Sequence, residues 1–289
     1  MSSPRIAIAT CATHPDHKVD DDLLREALRE RGCEARAVAW DDEAVDWSGF
    51  DLCLVRSTWD YHEKHREFLA WAERVEAATA LQNPAGLIAW NSDKTYLREL
   101  AAGGVRTVPT VWVDPASPAA LDALLAGEGW EEAVVKPVVD LGAHNLRRVR
   151  RGESSGALGD ALRRGGAMVQ PFLPSVENQG ELSLIYIAGT LSHVVRKQPA
   201  EGDFRVQEIW GGTMSRAEAS QVEVELAEQA LAQLREIPLY ARVDLVQDPE
   251  GEPCLIELEL IEPNLYLTQN PAAAQALADA ALLRIDVDA

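Results

Sequence analysis

The sequence predicts an α/β protein of more than one lobe, with a doubly wound parallel-sheet lobe first and an antiparallel sheet last. Three observations carry this. The stretch from Arg5 to Ala78 reads β-α-β-β-α, the order of a half-domain built on a parallel sheet. Near the other end, Ala241–Gln247 and Pro253–Leu260 are strand-like runs joined by Asp248-Pro249-Glu250-Gly251, a hairpin signal. Finally, 289 residues with 47% hydrophobic content exceed one typical domain and suffice for a sizeable core.

Taken in order, Arg5–Thr10 is a short buried strand, and the polar stretch Cys11–Asp20 is a loop. Asp21–Arg31 has helical spacing (Leu23, Leu24, Ala27, Leu28) and stops at Gly32. Ala35–Trp40 and Asp51–Val55 read as strands, and Glu63–Ala78 as a helix with Phe68, Leu69, Ala72 and Val75 inward. Ligands of such sheets gather at the carboxyl ends of the strands. That end carries Arg56-Ser57-Thr58-Trp59-Asp60-Tyr61, so Arg56, Ser57, Thr58 and Asp60 are candidate substrate contacts, with Arg56 suited to grip a carboxylate. The alternative is a plain connection in which Asp60 caps the next helix. His62-Glu63-Lys64-His65 has ligand residue types without metal-ligand spacing and reads as an exposed helix start.

Asn83 to Trp90 reads as a linker, and Asn91-Ser92-Asp93-Lys94 opens a helix that runs to Ala102. A strand (Thr110–Val113), a helix (Pro118–Leu125) and a strand ending Val134-Val135-Lys136-Pro137 follow. Lys136, ahead of the glycine-containing turn Asp140–Asn145, can set an ammonium against a phosphate beneath the turn's N–H groups. A Walker motif is absent. After a strand (Leu146–Val149) and a helix (Ala157–Arg164), the run Met168–Pro174 stops at prolines. It should leave backbone groups near Gln170, Pro171, Phe172 and Leu173 free for an adenine edge, with Glu177 within reach of ribose hydroxyls. Glu181–Ile187 and Thr190–Lys197 make a hairpin across Ala188-Gly189, ending in Arg196-Lys197. Gln198–Thr213, which contains Arg205, is irregular like a closing flap. Ser215–Glu236 and Pro271–Leu283 are helices.

In the final hairpin, alternation puts Arg242 and Asp244 on one face of the first strand, and Glu257 and Glu259 on one face of the second. Three carboxylates among Val, Leu and Ile need a counter-charge. Mg2+ carried with a nucleotide phosphate is the simplest; a solvated face paired with Arg242 is the alternative.

A formal net charge of −20 argues against a nucleic-acid partner, and any anionic substrate must be met by a local cluster of cations. No apolar run is long enough to span a membrane, and the N-terminus is too short and polar for a secretory signal, so the cytoplasm is the expected compartment. Cys11, Cys33, Cys53 and Cys254 are scattered and read as reduced, structural residues. Lysine is scarce, at Lys18, Lys64, Lys94, Lys136 and Lys197, and three of the five fall in the segments singled out above.

From Lys94 to Asn264 the order of these motifs resembles the ATP-grasp superfamily. The resemblance implies a Rossmann-like N-terminal lobe (residues 1–90), a small central lobe (91–170) and a C-terminal antiparallel-sheet lobe (171–289), with ATP between two sheets. It implies that Lys94 in N-S-D-K and Lys136 in V-V-K-P bind phosphate, that Gln170-Pro171-Phe172-Leu173 receives adenine, and that Glu177 holds ribose. Lys197 and Arg205 would meet the γ-phosphate or acyl-phosphate; Asp244 and Glu257 would hold Mg2+. Many members write the last metal motif as E-x-N, whereas Glu259 stands here; Glu259 or Asn264 would complete the site. R-S-T-W-D-Y, W-N-S-D-K-x-Y-L and I-E-L-E-x-I-E-P are most similar to the branch with the cyclo-ligase that makes D-cycloserine from O-ureido-D-serine. That branch is related to glutathione synthetases and ribosomal-protein glutamate ligases.

The implied chemistry is attack of a substrate carboxylate on the γ-phosphorus, then of an amine on the acyl-phosphate, with Arg242 and Arg196 stabilising developing charge. The substrate would be a small, amino-acid-like molecule, and the resemblance makes a homodimer an expectation. A small-molecule kinase, a dipeptide or amino-acid-tailoring ligase and a non-catalytic nucleotide-binding module are the rival readings.

Overall fold

Three β-sheets divide the chain in the computed structural model, which describes residues 3–12, 19–117, 119–153 and 156–285. The strands β1 (Arg5–Thr10), β2 (Glu34–Ala39), β3 (Leu52–Ser57) and β4 (Ala80–Gln82) form a parallel sheet in the order β2-β1-β3-β4. Alternation along β1 sends Ile6 and Ile8 to one face, where α1 (Val19–Glu30) and the last helix, α9 (Pro271–Ile285), cover them. Ala7 and Ala9 turn to the other face, among Phe68, Trp71 and Val75 of α2 (His65–Glu76). The C-terminal helix therefore returns to the first sheet, and Leu277 and Ala278 share one core with Ile6, Leu24, Ile185 and Tyr240.

The second sheet is antiparallel, in the order β5 (Val111–Val113), β8 (Ala167–Pro171), β6 (Glu132–Pro137), β7 (Arg147–Arg150), with α5 (Leu121–Glu128) and α6 (Ala157–Leu162) in its connections. The third, also antiparallel, runs β11 (Thr213–Ala217), β10 (Thr190–Gln198), β9 (Glu181–Ile187), β12 (Tyr240–Gln247), β13 (Pro253–Glu259). Ala188 and Gly189 both take positive φ, 47° and 79°, as a tight hairpin turn requires. Among the described residues no helix is long and apolar enough to cross a membrane.

Three expectations change. The stretch from Asn83 to Trp90 is not a linker: Pro84 starts a helix, α3 (Ala85–Asn91), which buries Leu87 and Ile88, and a separate short helix, α4 (Tyr96–Ala102), follows. Nor is the segment from Ser215 wholly helical. Its first residues pair with β10 as the strand β11, and α8 (Gln221–Leu231) begins only at the capping box of Ser220 and Glu223. Third, β3 continues through Arg56 and Ser57, which makes those residues strand rather than loop. Much of the expected loop Cys11–Asp20, and the expected helix start at Pro118, lie outside the described residues.

Candidate active site

Cross-strand pairing builds one polar face on the third sheet. Paired residues in an antiparallel ladder share a face, and Asp244 lies opposite Glu257 while Arg242 lies opposite Glu259. The ladder shifts register after Asp244, with Ile256 as the extra residue, so Leu255 and Leu258 both turn into the core behind. On the other side of β12, Asp244 faces Ser183, whose hydroxyl donates to it at 2.5 Å. Glu181 faces Lys197 across the β9–β10 hairpin, and the two form an ion pair of 2.7 Å.

Each acid on this face has a cation against it. Lys197 Nζ also lies 2.8 Å from Asp244, Arg242 pairs with both Asp244 (2.9 Å) and Glu259, and Lys94 Nζ lies 2.8 Å from Glu257. Asp244 is almost wholly enclosed, whereas Glu257 and Glu259 leave 29% and 25% of their side-chain surface open, so a cation arriving through the cleft can reach them. One oxygen from each of Asp244, Glu257 and Glu259 can be chosen so that all lie within 4.8 Å of one another, a donor set of hard oxygens that fits Mg2+. Asn264 fits less well, because its Oδ1 already accepts from the Tyr266 amide at 2.9 Å.

The charges are tuned by this packing. Burial works to raise Asp244, but Arg242 and Lys197 outweigh it and hold the carboxyl well below its ordinary range. Glu257 is likewise lowered against burial, by Lys94 and Lys136. Burial pushes Glu259 up to about 7 against the pull of Arg242, with Glu257 and Asp244 adding to the rise. Burial also lowers Lys136, opposed by Glu257 and Glu181.

Lys94 is positioned by side chains that clamp an edge strand. The outer edge of β13 would expose its backbone, but Asn91 donates to Leu258 O (2.8 Å) and accepts from Leu260 N (2.8 Å). The Tyr96 hydroxyl bonds both the carbonyl and the amide of Leu258. Between these two anchors the chain turns, and the Lys94 ammonium meets Glu257 and the carbonyl of Asp140 (2.8 Å).

The polar face forms one wall of a cavity of about 620 Å3. Val134, Lys136 and Gln170 of the second sheet also line it, as do Phe172 and Leu173 just after that sheet and Trp59, Asp60, Tyr61 and Glu262. Two loops cover it. Asp140 braces the turn through Asn145 (2.7 Å), and Trp210 Nε1 donates to Gly142 O (2.9 Å), latching the flap to that turn. Arg205 borders the cavity, held by Asp203 (2.6 Å) and stacked 3.6 Å over Trp210.

Several expected site residues lie elsewhere. Arg196 does not border the cavity: strand alternation sends Lys197 inward, and Arg196 bonds the carbonyl of Gln179 (3.0 Å). Glu177 is absent from the lining and pairs with Arg148 at 2.8 Å. The Phe172 amide is not free after the proline, since it donates to Glu132 O at 3.0 Å. Arg56, Ser57 and Thr58 are buried beneath the cavity rather than in its wall. Arg56 donates to Pro263 O (2.8 Å) and lies over the Tyr240 ring, while Ser57 donates to Asp21 (2.5 Å). Asp60 does border the cavity and receives Trp40 Nε1 at 2.7 Å.

The residues that sequence reasoning missed are Glu181, Asn91, Tyr96 and Glu262. Glu181 had a signal, since the hairpin register already sets it opposite Lys197. Asn91 and Tyr96 act on partners remote in sequence, and the Glu262 carboxyl takes no hydrogen bond from the described residues.

A phosphate-sized cluster of lysines and acids between two antiparallel sheets, under two loops, defines the class: the chain belongs to the ATP-grasp superfamily. Residues 117–262 match the family described as prokaryotic glutathione synthetase, ATP-grasp domain, and residues 6–83 match D-cycloserine synthetase DcsG, N-terminal domain. The chain is 34% identical over 294 residues to the cycloserine biosynthesis protein DcsG of Streptomyces lavendulae, a match covering 97% of this chain and 98% of that one. The crystal structure of D-cycloserine synthetase DcsG superposes with a TM-score of 0.86 at 33% identity, covering 97% and 99% of the two chains. An ATP-complexed D-alanine–D-alanine ligase from Bacillus anthracis shares the fold at 14% identity and a TM-score of 0.71, covering 100% of this chain and 98% of that one. The protein is an ATP-dependent ligase of this superfamily.

Proposed function

We propose that the enzyme activates the carboxylate of a small amino acid with ATP and closes a ring onto a nitrogen of the same molecule, as an O-ureidoserine-like substrate would allow. The observation that carries this reading is the end-to-end likeness to a cycloserine synthetase, which covers 97% of this chain. In the proposed complex adenine lies against Gln170, Pro171, Phe172 and Leu173, and the phosphates lie against Lys94 and Lys136. Mg2+ held by Asp244, Glu257 and Glu259 would neutralise phosphate charge and fix the γ-phosphoryl group for in-line transfer.

The chain's own side chains do the rest. Lys136 forms no ion pair or hydrogen bond with any described residue, so its ammonium is available to a phosphate oxygen. Arg242 keeps Asp244 and Glu259 in place and presents a guanidinium edge where carboxyl oxygen charge builds during acyl transfer. Arg205 and the latched loops close the cavity against water, which would hydrolyse an acyl-phosphate.

The test is ADP release with O-ureido-D-serine alone, set beside amino acids supplied singly and in pairs. Turnover of the lone compound to a cyclic product is expected. ADP release only when a second amine is added would replace cyclisation by intermolecular ligation, and a stable phosphorylated product would replace it by kinase chemistry.

A further inference from the structure

We propose that Glu262 is the specificity residue for the substrate's α-ammonium group, a role that rests on the amino-acid ligase reading above. Glu262 borders the cavity, close to Trp59 and Tyr61, which line it too. Its residue surface is only 5% exposed, and among the described residues neither carboxyl oxygen takes a hydrogen bond; Oε2 is shielded from solvent altogether. A buried acid without partners is costly, and native interiors rarely keep one without a use for it. Here the backbone holds it in place, because the Trp59 indole donates to the Glu262 carbonyl at 3.2 Å.

The surroundings say what kind of group would complete it. Of the other cavity acids, Asp244, Glu257 and Glu259 are already matched by Lys197, Lys94 and Arg242. Among the described residues no ion pair or hydrogen bond reaches the Glu262 carboxyl, although Lys94 and Arg242 are near enough to act on its charge, and the aromatic side chains Trp59 and Tyr61 line the cavity with it. Burial, reinforced by Glu259 and opposed by Lys94 and Arg242, pushes its carboxyl well above the ordinary range, and a ligand that brings positive charge and N–H donors would favour its ionised form and pair with it. A primary ammonium supplies both. The site therefore selects an α-amino acid over the corresponding simple carboxylic acid, with the carboxylate directed toward Arg242 and the nucleotide.

The experiment measures binding of O-ureido-D-serine and of the same compound without its α-amino group, each in the presence of Mg2+ and a non-hydrolysable ATP analogue. The comparison is made in the wild-type protein and in Glu262→Gln, which keeps the shape and removes the charge; melting of each protein alone verifies folding. The wild type should prefer the amino compound by about 10- to 100-fold, the usual worth of a hydrogen bond to a charged group. Glu262→Gln should bring that preference close to one while leaving affinity for the ATP analogue within about twofold. Glu262→Asp should restore part of it. No preference in the wild type, or a preference that survives in Glu262→Gln, overturns the proposal. ADP release is recorded in parallel, so preference without turnover removes the ligase reading alone, and turnover without preference removes Glu262 alone.

Discussion

Replacing Lys197 by methionine removes the cation that ties two strands of the third sheet together. The ammonium is 3% exposed and lies 2.7 Å from Glu181 and 2.8 Å from Asp244. Both carboxylates stay behind. Deleting one partner of a buried pair typically costs about 3–5 kcal/mol, because the remaining charge is left without compensation. Two features bring the estimate to the lower end: Asp244 keeps Arg242 and Ser183, and Glu181 keeps 13% of its side-chain surface open. A cost of about 3 kcal/mol is therefore expected. At ~2.1 cal/mol/K per residue, 289 residues carry an unfolding entropy of about 0.6 kcal/mol/K, so the melting temperature should fall by about 5 °C. The assay is thermal unfolding at pH 7.5, in the variant and in a Lys197→Met/Asp244→Asn double variant. Because the neutralised Asp244 no longer demands a cation, the double variant should lose less than the two single changes summed. A melting temperature unchanged within about 1 °C, or strictly additive losses, would refute the claim that these charges form one buried network.

Two further outcomes follow from the same geometry. Glu259→Asn restores the residue that many superfamily members carry at this position and should keep Mg2+-dependent ADP formation. Glu259→Leu should reduce it by about 100-fold or more, the range seen when a group stabilising transition-state charge is removed, and equal activity in the two variants would take Glu259 out of the metal site. For pH, burial lowers His193, whose Nε2 lies 2.9 Å from Leu265 O, and burial lowers His62 and His65 too. Below pH 6.5 the unfolded chain binds a proton at each of these positions that the folded chain resists, so stability falls as pH falls, by up to about 1.4 kcal/mol per pH unit per histidine. Thermal unfolding between pH 7.5 and 5.5 should show a shallower decline in His193→Gln than in the wild type; parallel declines would exclude His193 as a contributor.

Legibility in the sequence followed the range over which each signal acts. The terminal hairpin could be read because its strands are adjacent and its acids repeat with the period of a strand, which fixes their common face before any tertiary contact is known. The same logic would have found Glu181. Lys94 was legible as a lone lysine in a capped segment, but its placement was not. Asn91 and Tyr96 look like helix-start residues, and their real partners at Leu258 and Leu260 lie more than 160 residues away. Arg56 failed for a related reason. Polar residues after a buried strand suggest a loop, yet β3 continues through them, and Tyr240 of the third sheet and Pro263 just after it cover the guanidinium. Arg196 and Lys197 are adjacent, and only the strand's alternation decides which of the two faces the cleft.

Net charge sets the last constraint. A chain of −20 repels a polyphosphate at long range, so no broad basic surface can gather ATP, and attraction must come from groups within the cleft. Lys94, Lys197 and Arg242 cannot supply it alone, since each already neutralises an acid in the same wall. Among the cations of that wall and the one facing it, Lys136 has no acid in contact, and it is lowered by burial and by the neighbouring lysines; the open carboxylates of Glu257 and Glu259 could admit a further cation. On the proposed reading the acids of this wall, each holding a cation, would make nucleotide binding depend on a divalent ion, because such an ion adds positive charge without displacing a lysine from its partner. Such a coupling of metal and nucleotide would need no separate switch: it would follow from the pairing of Asp244, Glu257 and Glu259 with Lys197, Lys94 and Arg242.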